Sequence, residues 1–226
     1  MAIIYTGMPG TPDPAPPVTA VLPQQPALPQ AAGGVEHTWP SGDDAGQNGL
    51  PGNPGADGSI GNHSENGTDC PAVDITIQQI TGGSLEIECI GGKGADGGIG
   101  QTGAQGQNGQ QGGANDPDGD AGIGQGGVGG TGGNGGQGGQ GMNGGNIPDQ
   151  NITILDTQFD ADNISVNYTQ GAAGVGGFGG TGGPGGNGGL DGNGKNPAMA
   201  GNFGGQGPRG TDGKDGTVGV AMTTIG

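Results

Sequence analysis

Residues 126–141 read GGVGGTGGNGGQGGQG, a stretch in which about two of every three residues have no side chain. The register continues to Gly144, and four further tracts keep glycine at every third position. These tracts span residues 46–61, 91–112, 171–192 and 201–219. A flexible glycine-rich linker has no reason to keep a period, whereas a helix with three residues per turn places each register on one edge. The period therefore predicts packed, threefold helices.

Bare glycine edges predict where each tract packs. Such edges let neighbouring chains approach until main-chain N–H and C=O groups bond between them. The tracts that contain Gly126 and Gly171 are largely Gly-Gly-X repeats with two bare edges, so we expect them inside the bundle. The tract 91–112 has a single glycine register flanked by residues such as Gln101 and Gln110, so we expect it at the edge.

The composition excludes several classes of protein. The chain has 226 residues, 64 of them glycine, with 27% hydrophobic and 3% aromatic residues, which is too little for an ordinary apolar core over its whole length. A net charge of −17 is also typical of disorder, but the strict period argues against that alternative. The chain has only 4 basic residues but 21 carboxylates, and binding to phosphate groups needs clustered basic residues, so we expect no nucleic-acid partner. No apolar run suits a membrane span, and residues 1–10 lack the pattern of a Sec-type signal peptide.

Alternating apolar and polar residues between the glycine tracts predict β-strands. In residues 73–78 and 85–89 every second residue is apolar, and glycines in the turn between them complete the signal of an antiparallel hairpin. Folding about Gly82 would place Ile75 opposite Cys89 and leave the acidic residues on the other face.

A second pair of alternating segments, residues 152–154 and 164–168, precedes the next glycine tract. The two predicted hairpins begin 77 residues apart, at Ile75 and Ile152. This spacing predicts a repeat made of one hairpin with an outgoing and a returning glycine helix.

The two ends of the chain resemble two halves of a third hairpin. Their apolar residues are Ile3, Ile4 and Tyr5 at one end and Val218, Val220 and Met222 at the other. An edge strand without a partner exposes backbone donors and acceptors, and a strand from another copy would cover them. We therefore expect the N-terminal strand of one copy to pair with the C-terminal strand of the next, which makes a filament unless it closes a ring. The alternative is pairing of residues 2–6 with residues 217–225 of the same chain.

The predicted fold class is a polyglycine-II (threefold, polyproline-II-like) helical bundle with short antiparallel β-hairpins and essentially no α-helix. Collagen shares the period, but these tracts are too short and mostly too poor in proline for a triple helix. The predicted divisions are an N-terminal strand at 1–7, a proline-rich extended arm at 8–45, a collagen-like segment at 46–69, and repeats of hairpins and glycine helices at 70–226 that end in a strand at 217–226.

In its repeat chemistry, the region 91–219 resembles two groups of polyglycine-II proteins. These are the springtail antifreeze proteins and the glycine-rich adhesin tips of some phage long tail fibres. The resemblance implies a bundle architecture more than a function. The adhesin tips place aromatic loops between glycine tracts, whereas the loops 115–123 and 193–200 contain no aromatic residue.

Cys70 and Cys89 flank the first predicted hairpin. A disulfide between them would close a loop of about 20 residues and contribute roughly 3 kcal/mol. The predicted register places Cys89 beside Ile75 instead of Cys70, so the bridged and the free forms both remain open.

The turn Asp116-Pro117-Asp118-Gly119-Asp120 resembles the opening of a calcium loop, in which alternate carboxylates converge on one hard cation. The rest of an EF-hand loop is missing, and a solvated acidic turn is the alternative. No other cofactor is expected. The chain has no P-loop, no nucleophile near a histidine base and no zinc spacing, so we expect no enzymatic activity.

Together these patterns favour a structural protein that assembles head to tail with itself, as an extracellular filament or on a virion surface. The alternative is a phage tail-fibre or cell-surface adhesin tip that displays loops to a receptor. A third hypothesis is an ice-binding protein, which needs a flat face of regularly spaced small or threonine side chains. Thr131 and Thr181 are few for such a face.

Overall fold

The structure, a computed structural model, describes residues 2–11, 26–37, 42–79, 83–156 and 160–225. Regular structure within these residues is short and almost entirely β. The one helical element there is a 3-10 turn at Ala161–Asn163. The strands are β1 (Ala2–Thr6), β2 (Asp74–Ile77), β3 (Leu85–Ile90), β4 (Gln150–Ile154), β5 (Ile164–Thr169) and β6 (Ala221–Ile225).

The strands form two parallel sheets of three strands each. The first sheet has the order β1-β3-β5 and the second the order β2-β4-β6. Ile87 in β3 pairs with Ile3 in β1 and with Val166 in β5. Ile152 in β4 pairs in the same way with Ile75 in β2. Odd-numbered and even-numbered strands therefore separate into different sheets.

The predicted fold class, a polyglycine-II helical bundle joined by antiparallel hairpins, is wrong. The 3-10 turn at Ala161–Asn163 is the one helical element among the described residues, so they form no helical bundle, and all their strand pairs are parallel. The two strands of the first predicted hairpin are β2 and β3, and they lie in different sheets. Cys89 pairs with Tyr5 and Tyr168 instead of Ile75. Period-two alternation is the same in parallel and antiparallel strands, so it could not reveal the pairing. Residues 81 and 82 of the predicted turn Thr81-Gly82-Gly83 lie outside the described residues.

A small apolar core holds the two sheets together. Leu85 and Ile87 from the first sheet meet Ile152 and Ile154 from the second, and all four are at most 2% exposed. Inward residues of β1, β2 and β5, such as Ile75, pack around them. In β1 to β5 alternation thus turns one face of the strand towards the core and the other towards solvent, whereas β6 is mostly exposed.

Five extended glycine segments continue from the strands. We call them S1 (46–70), S2 (91–113), S3 (124–145), S4 (171–192) and S5 (198–219). S2 and S4 follow β3 and β5 in one layer, whereas S1, S3 and S5 lead into β2, β4 and β6 in a second layer. Segments of one layer run in the same direction, since the N–H groups of Gly97 and Gly109 donate to Val175 and Asn187, both at 2.8 Å. Segments of different layers run in opposite directions.

The period of three in the sequence reappears in the hydrogen bonds between segments. In S3, Gly132 donates its N–H to S5 and Gly133 donates to S2, each at 2.8 Å, while the carbonyl of Thr131 accepts from S1 at 2.8 Å. A Cβ on Gly133 would lie 2.0 Å from a backbone oxygen of S1. The bonds therefore require the two glycines of each triplet, because any side chain there would separate the segments.

The expected placement of the segments is partly wrong. S2 is not at the edge, because its main chain bonds to S1, S3, S4 and the described part of the N-terminal arm. S3 is central in its layer, but S4 lies at the edge of the first layer. The arm prediction, residues 8–45, falls partly on residues 12–25 and 38–41, which lie outside the described residues. Its described part follows S2, with Ala31 donating its N–H to Gln111 at 2.9 Å.

Two neighbouring glycines of S5 provide a test of this packing. A Cβ at Gly204 would lie 2.0 Å from the Gly133 backbone oxygen, whereas a Cβ at Gly205 would meet only a side-chain atom, Oδ1 of Asn134, at 3.2 Å. We expect Gly204→Ala to destabilise by about 2 kcal/mol or more and to lower the melting temperature by at least ~4 °C. Gly205→Ala, the matched control, should change it by less than about 2 °C. Circular dichroism melting measures both, and equal shifts would contradict the packing.

Candidate functional site: the sheet edges and the loop end

The residues predicted to join copies of the chain lie on two different sheets. Ile3 and Tyr5 of β1 point inward and pack against the buried clusters, whereas Ile4 points outward and is 61% exposed. Met222 lies in β6 and is 58% exposed, and Val220, just before β6, is 65% exposed. The two terminal strands therefore present apolar side chains to solvent.

The expected alternative of pairing between the two ends of one chain is wrong. β1 pairs with β3, and β6 pairs with β4, so the terminal strands do not meet. Val218 instead makes an isolated parallel bridge with Ile147. Within the described residues, β1 and β5 are the edges of one sheet and β2 and β6 are the edges of the other.

The edge of the glycine layers formed by S1 is closed by glutamine side chains of S2. Oε1 of Gln110 accepts the N–H of Leu50 at 2.8 Å, and Oε1 of Gln107 accepts that of Asn53 at 3.1 Å. The side-chain nitrogen of Gln107 donates to the carbonyl of Pro26 at 2.6 Å. These side-chain amides supply the acceptors that a further main chain would otherwise supply.

The opposite edge is closed by charged side chains of S5. Oδ1 of Asp212 accepts the N–H of Gly176 at 2.7 Å, and Oδ1 of Asp215 accepts that of Ala173 at 2.8 Å. The guanidinium of Arg209 donates to the Gly176 carbonyl and lies 5.8 Å from the centre of the Phe178 ring. Side chains thus occupy the positions where another glycine segment would pack.

Asparagine and aspartate side chains bridge the segments of the second layer. In four cases an Oδ1 in S1 accepts the N–H of the residue 77 positions later, in S3 or directly after it. In four more, an Oδ1 in S3 or just after it accepts the N–H of the residue 71 positions later. These side chains pair main-chain N–H groups that the glycine bonds leave out. Sequence reasoning missed them, although Asp57 and Asn134, like Asn66 and Asn143, are 77 residues apart.

The two cysteines form a disulfide where the glycine segments meet the sheets. Cys70 and Cys89 have Cα atoms 6.0 Å apart, and each is 1% exposed. They pack with Ile147, Tyr5 and Tyr168 in a second buried cluster. The Tyr168 hydroxyl is buried without a hydrogen-bond partner in the described structure, and burial raises the pKa of this phenol. The bridge ties the end of S1, in one layer, to β3, in the other.

Removing this disulfide should destabilise the protein. A bridge that closes a loop of 19 residues contributes roughly 3 kcal/mol, so the double variant Cys70→Ala/Cys89→Ala should melt about 6–12 °C below the wild type. Reductant should lower the melting temperature of the wild type and leave that of the variant unchanged. Identical melting of the wild type with and without reductant would contradict the structural role of the bridge.

We use the name loop end for the end of the molecule opposite the strands, where connections join one glycine segment to the next. Between S4 and S5, the buried carboxylate of Asp191 accepts the N–H of Lys195 at 2.8 Å and the side-chain amide of Asn196 at 2.6 Å. The hydrogen bond from the Lys195 backbone is the main cause that lowers the pKa of Asp191 below its ordinary value. The ionised form therefore stabilises this turn.

The stability that Asp191 contributes should depend on pH. A lowered folded-state pKa gives stability that is present above the unfolded pKa, about 3.9, and is lost as the pH falls through the folded-state value. Asp191→Asn should therefore melt below the wild type at about pH 7, and the difference should shrink at about pH 2.5. Melting curves at both pH values test this, and a difference independent of pH would contradict it.

A cluster of three carboxylates also lies at the loop end. A carboxylate oxygen from each of Asp43, Asp116 and Asp120 lies within 4.8 Å of the others. The Asp116 and Asp43 carboxylates raise the pKa of Asp120 above its ordinary value, because their negative charges oppose its ionisation. The structure places Asp118, the third residue of the predicted calcium turn, outside this cluster and brings in Asp43 from a different connection.

Comparisons with known proteins identify no family. No protein-family model and no curated protein matches the chain. A solved structure similar to it is the springtail antifreeze protein from Granisotoma rainieri, described as a nine polyproline type II helical bundle whose crystal waters match the ice lattice. The two chains are 26% identical over 75% of this chain and 94% of the other, with a TM-score of 0.14. A likeness with so low a TM-score supports no conclusion about fold or function. In the described ranges, no helix has the length and hydropathy needed to cross a membrane.

Proposed function

We propose that the protein is a non-catalytic structural component that assembles head to tail with copies of itself. The observation that carries this proposal is that both parallel sheets have two edges without a strand partner in the described structure. Such edges expose rows of backbone donors and acceptors and are templates for pairing with another chain. Exposed Ile4 and Met222 add apolar surface beside these edges.

The strand order determines which strands meet in such an assembly. The strands of each sheet are parallel and follow one another in chain order, so a second copy continues both sheets with the same geometry. β5 then pairs with β1 of the next copy, and β6 pairs with its β2. This joint differs from the direct pairing of β1 with β6, because those strands belong to different sheets.

The closed edges of the glycine layers restrict assembly to the strand end of the molecule. Gln107 and Gln110 cover the layers on one side, and Asp212 and Asp215 cover them on the other. Additional glycine segments would have to displace these hydrogen bonds. A heterologous contact through the sheets alone produces a filament or, with sufficient rotation, a ring.

Charge substitution at Met222 tests the joint. Within the chain, Met222 pairs with the neutral Asn151, which itself pairs with Asp74 of β2. The proposed joint repeats that row and places Met222 beside Asp74 of the next copy. Met222→Asp should therefore weaken association about two- to five-fold, because it places two negative charges opposite each other across the joint. Met222→Lys should strengthen association by a similar factor, because it places a positive charge opposite Asp74. Charged pairs that face each other across strands contribute roughly 0.5–1 kcal/mol.

Sedimentation and electron microscopy of the full-length protein at micromolar concentration measure the association. The matched controls are Met199→Asp and Met199→Lys, since Met199 is 79% exposed but lies in S5 near the loop end. Neither control should change association by more than about 1.5-fold at moderate salt. A wild type that stays monomeric at high concentration, or equal effects of Asp and Lys at residue 222, would overturn the proposal.

A further inference from the structure

We propose that Asp43, Asp116 and Asp120 form a calcium site that links two connections at the loop end. The inference is independent of how copies of the chain assemble. It rests on the placement of three carboxylates from two separate parts of the chain and on a buried oxygen atom of Asp116 that has no hydrogen-bond partner in the described structure.

The buried carboxylate of Asp116 is the central observation. This residue is 4% exposed, and its Oδ1 accepts the N–H of Ala121 at 3.0 Å. Its Oδ2 is buried and accepts no hydrogen bond in the described structure. A buried carboxylate oxygen without a partner is costly, whereas a bound cation removes that cost.

The geometry of the cluster suits one hard cation. Oxygen ligands of calcium lie at about 2.3–2.6 Å from the ion, so two oxygens on one ion are at most about 5.2 Å apart. One carboxylate oxygen from each of Asp43, Asp116 and Asp120 meets that limit, since the three atoms lie within 4.8 Å of one another. Three carboxylates leave positions for carbonyls or water, which a coordination number of six to eight requires. Zinc prefers nitrogen and sulfur ligands, and magnesium demands a stricter octahedron, so calcium fits best.

The surroundings of the cluster offer little other compensation for its charge. The N–H of His37 donates to Oδ1 of Asp43 at 2.9 Å, but the His37 ring pairs with Asp44. The lysine and arginine ion pairs of the described residues, at Lys93 and Arg209, involve other carboxylates. The mutual repulsion of the three carboxylates is therefore left for a cation to relieve.

The site would join two connections that are distant in the sequence. Asp43 belongs to the connection between the N-terminal arm and S1, whereas Asp116 and Asp120 belong to the connection between S2 and S3. The N–H of Gly119 donates to the Asp116 carbonyl at 3.1 Å and closes the turn, and Gly119 has a φ of 85°, which favours glycine. Asp116 and Asp120 of this turn lie close to Asp43.

Calorimetric titration of the full-length protein with calcium chloride, in about 150 mM sodium chloride, tests the proposal. The salt screens diffuse binding to the acidic surface. We expect one site per chain, at least ten-fold weaker binding in Asp120→Asn, and less than about three-fold weakening in Asp118→Asn. Asp118 is the matched control, because it is an exposed aspartate of the same turn outside the cluster. No saturable binding, or equal weakening in both variants, would overturn the proposal.

Asp116→Asn provides a second test, in which the change in melting temperature should differ between calcium-free and calcium-containing buffer. The amide removes one negative charge from the cluster and keeps an oxygen that can accept the Ala121 N–H. In the presence of a chelator the variant should melt at least as high as the wild type, because the carboxylate repulsion is relieved. In millimolar calcium chloride it should melt about 2–4 °C lower, because the wild type gains more from the ion. Lower melting of the variant by the same amount in both conditions would contradict a calcium role.

Discussion

The whole architecture depends on direct hydrogen bonds between main chains that approach without intervening side chains. In S3, consecutive glycines such as Gly132 and Gly133 donate in two different directions, and the residue between each pair of glycines accepts from a third. A single Cβ at Gly133 would lie 2.0 Å from a neighbouring backbone oxygen. Hydrogen bonding between extended segments therefore orders most of the chain, and in the described residues the buried apolar side chains larger than alanine lie at the strand end.

Part of the fold could be predicted from the sequence. The period of three located the glycine segments, and alternation located the strands near Ile75, Ile87 and Ile152. The pairing could not be predicted, because alternation is the same in both orientations. Parallel pairing follows instead from the neighbouring glycine segments, which run in the same direction within each layer. The edge position of S2 was predicted wrongly, because its glutamines bond to the arm and to S1.

In the candidate sites, too, residues close together in the sequence could be predicted, whereas their partners from distant parts of the chain could not. The turn at Asp116 and Asp120 was visible as alternate carboxylates, but Asp43 joins them only through folding. Likewise, the exposed Ile4 and Met222 were identified, whereas the separation of their strands into two sheets was not. The side chains that close the glycine layers, such as Asp212 and Gln110, carry no motif, since their role depends on which main-chain groups lie beside them.

The junction between strand and glycine segment has a further consequence for alignment of the chain. A shift of one segment by three residues preserves every glycine contact, but it turns a strand over, because three is odd and strand side chains alternate. Only a shift of six residues satisfies both periods. The two repeat distances in the second layer, 77 and 71 residues, differ by six. Two periods therefore constrain the register of each segment: three in its glycine part and two in its strand. The glycine contacts alone would allow a shift of three residues, and the apolar residues of the strand end exclude that shift.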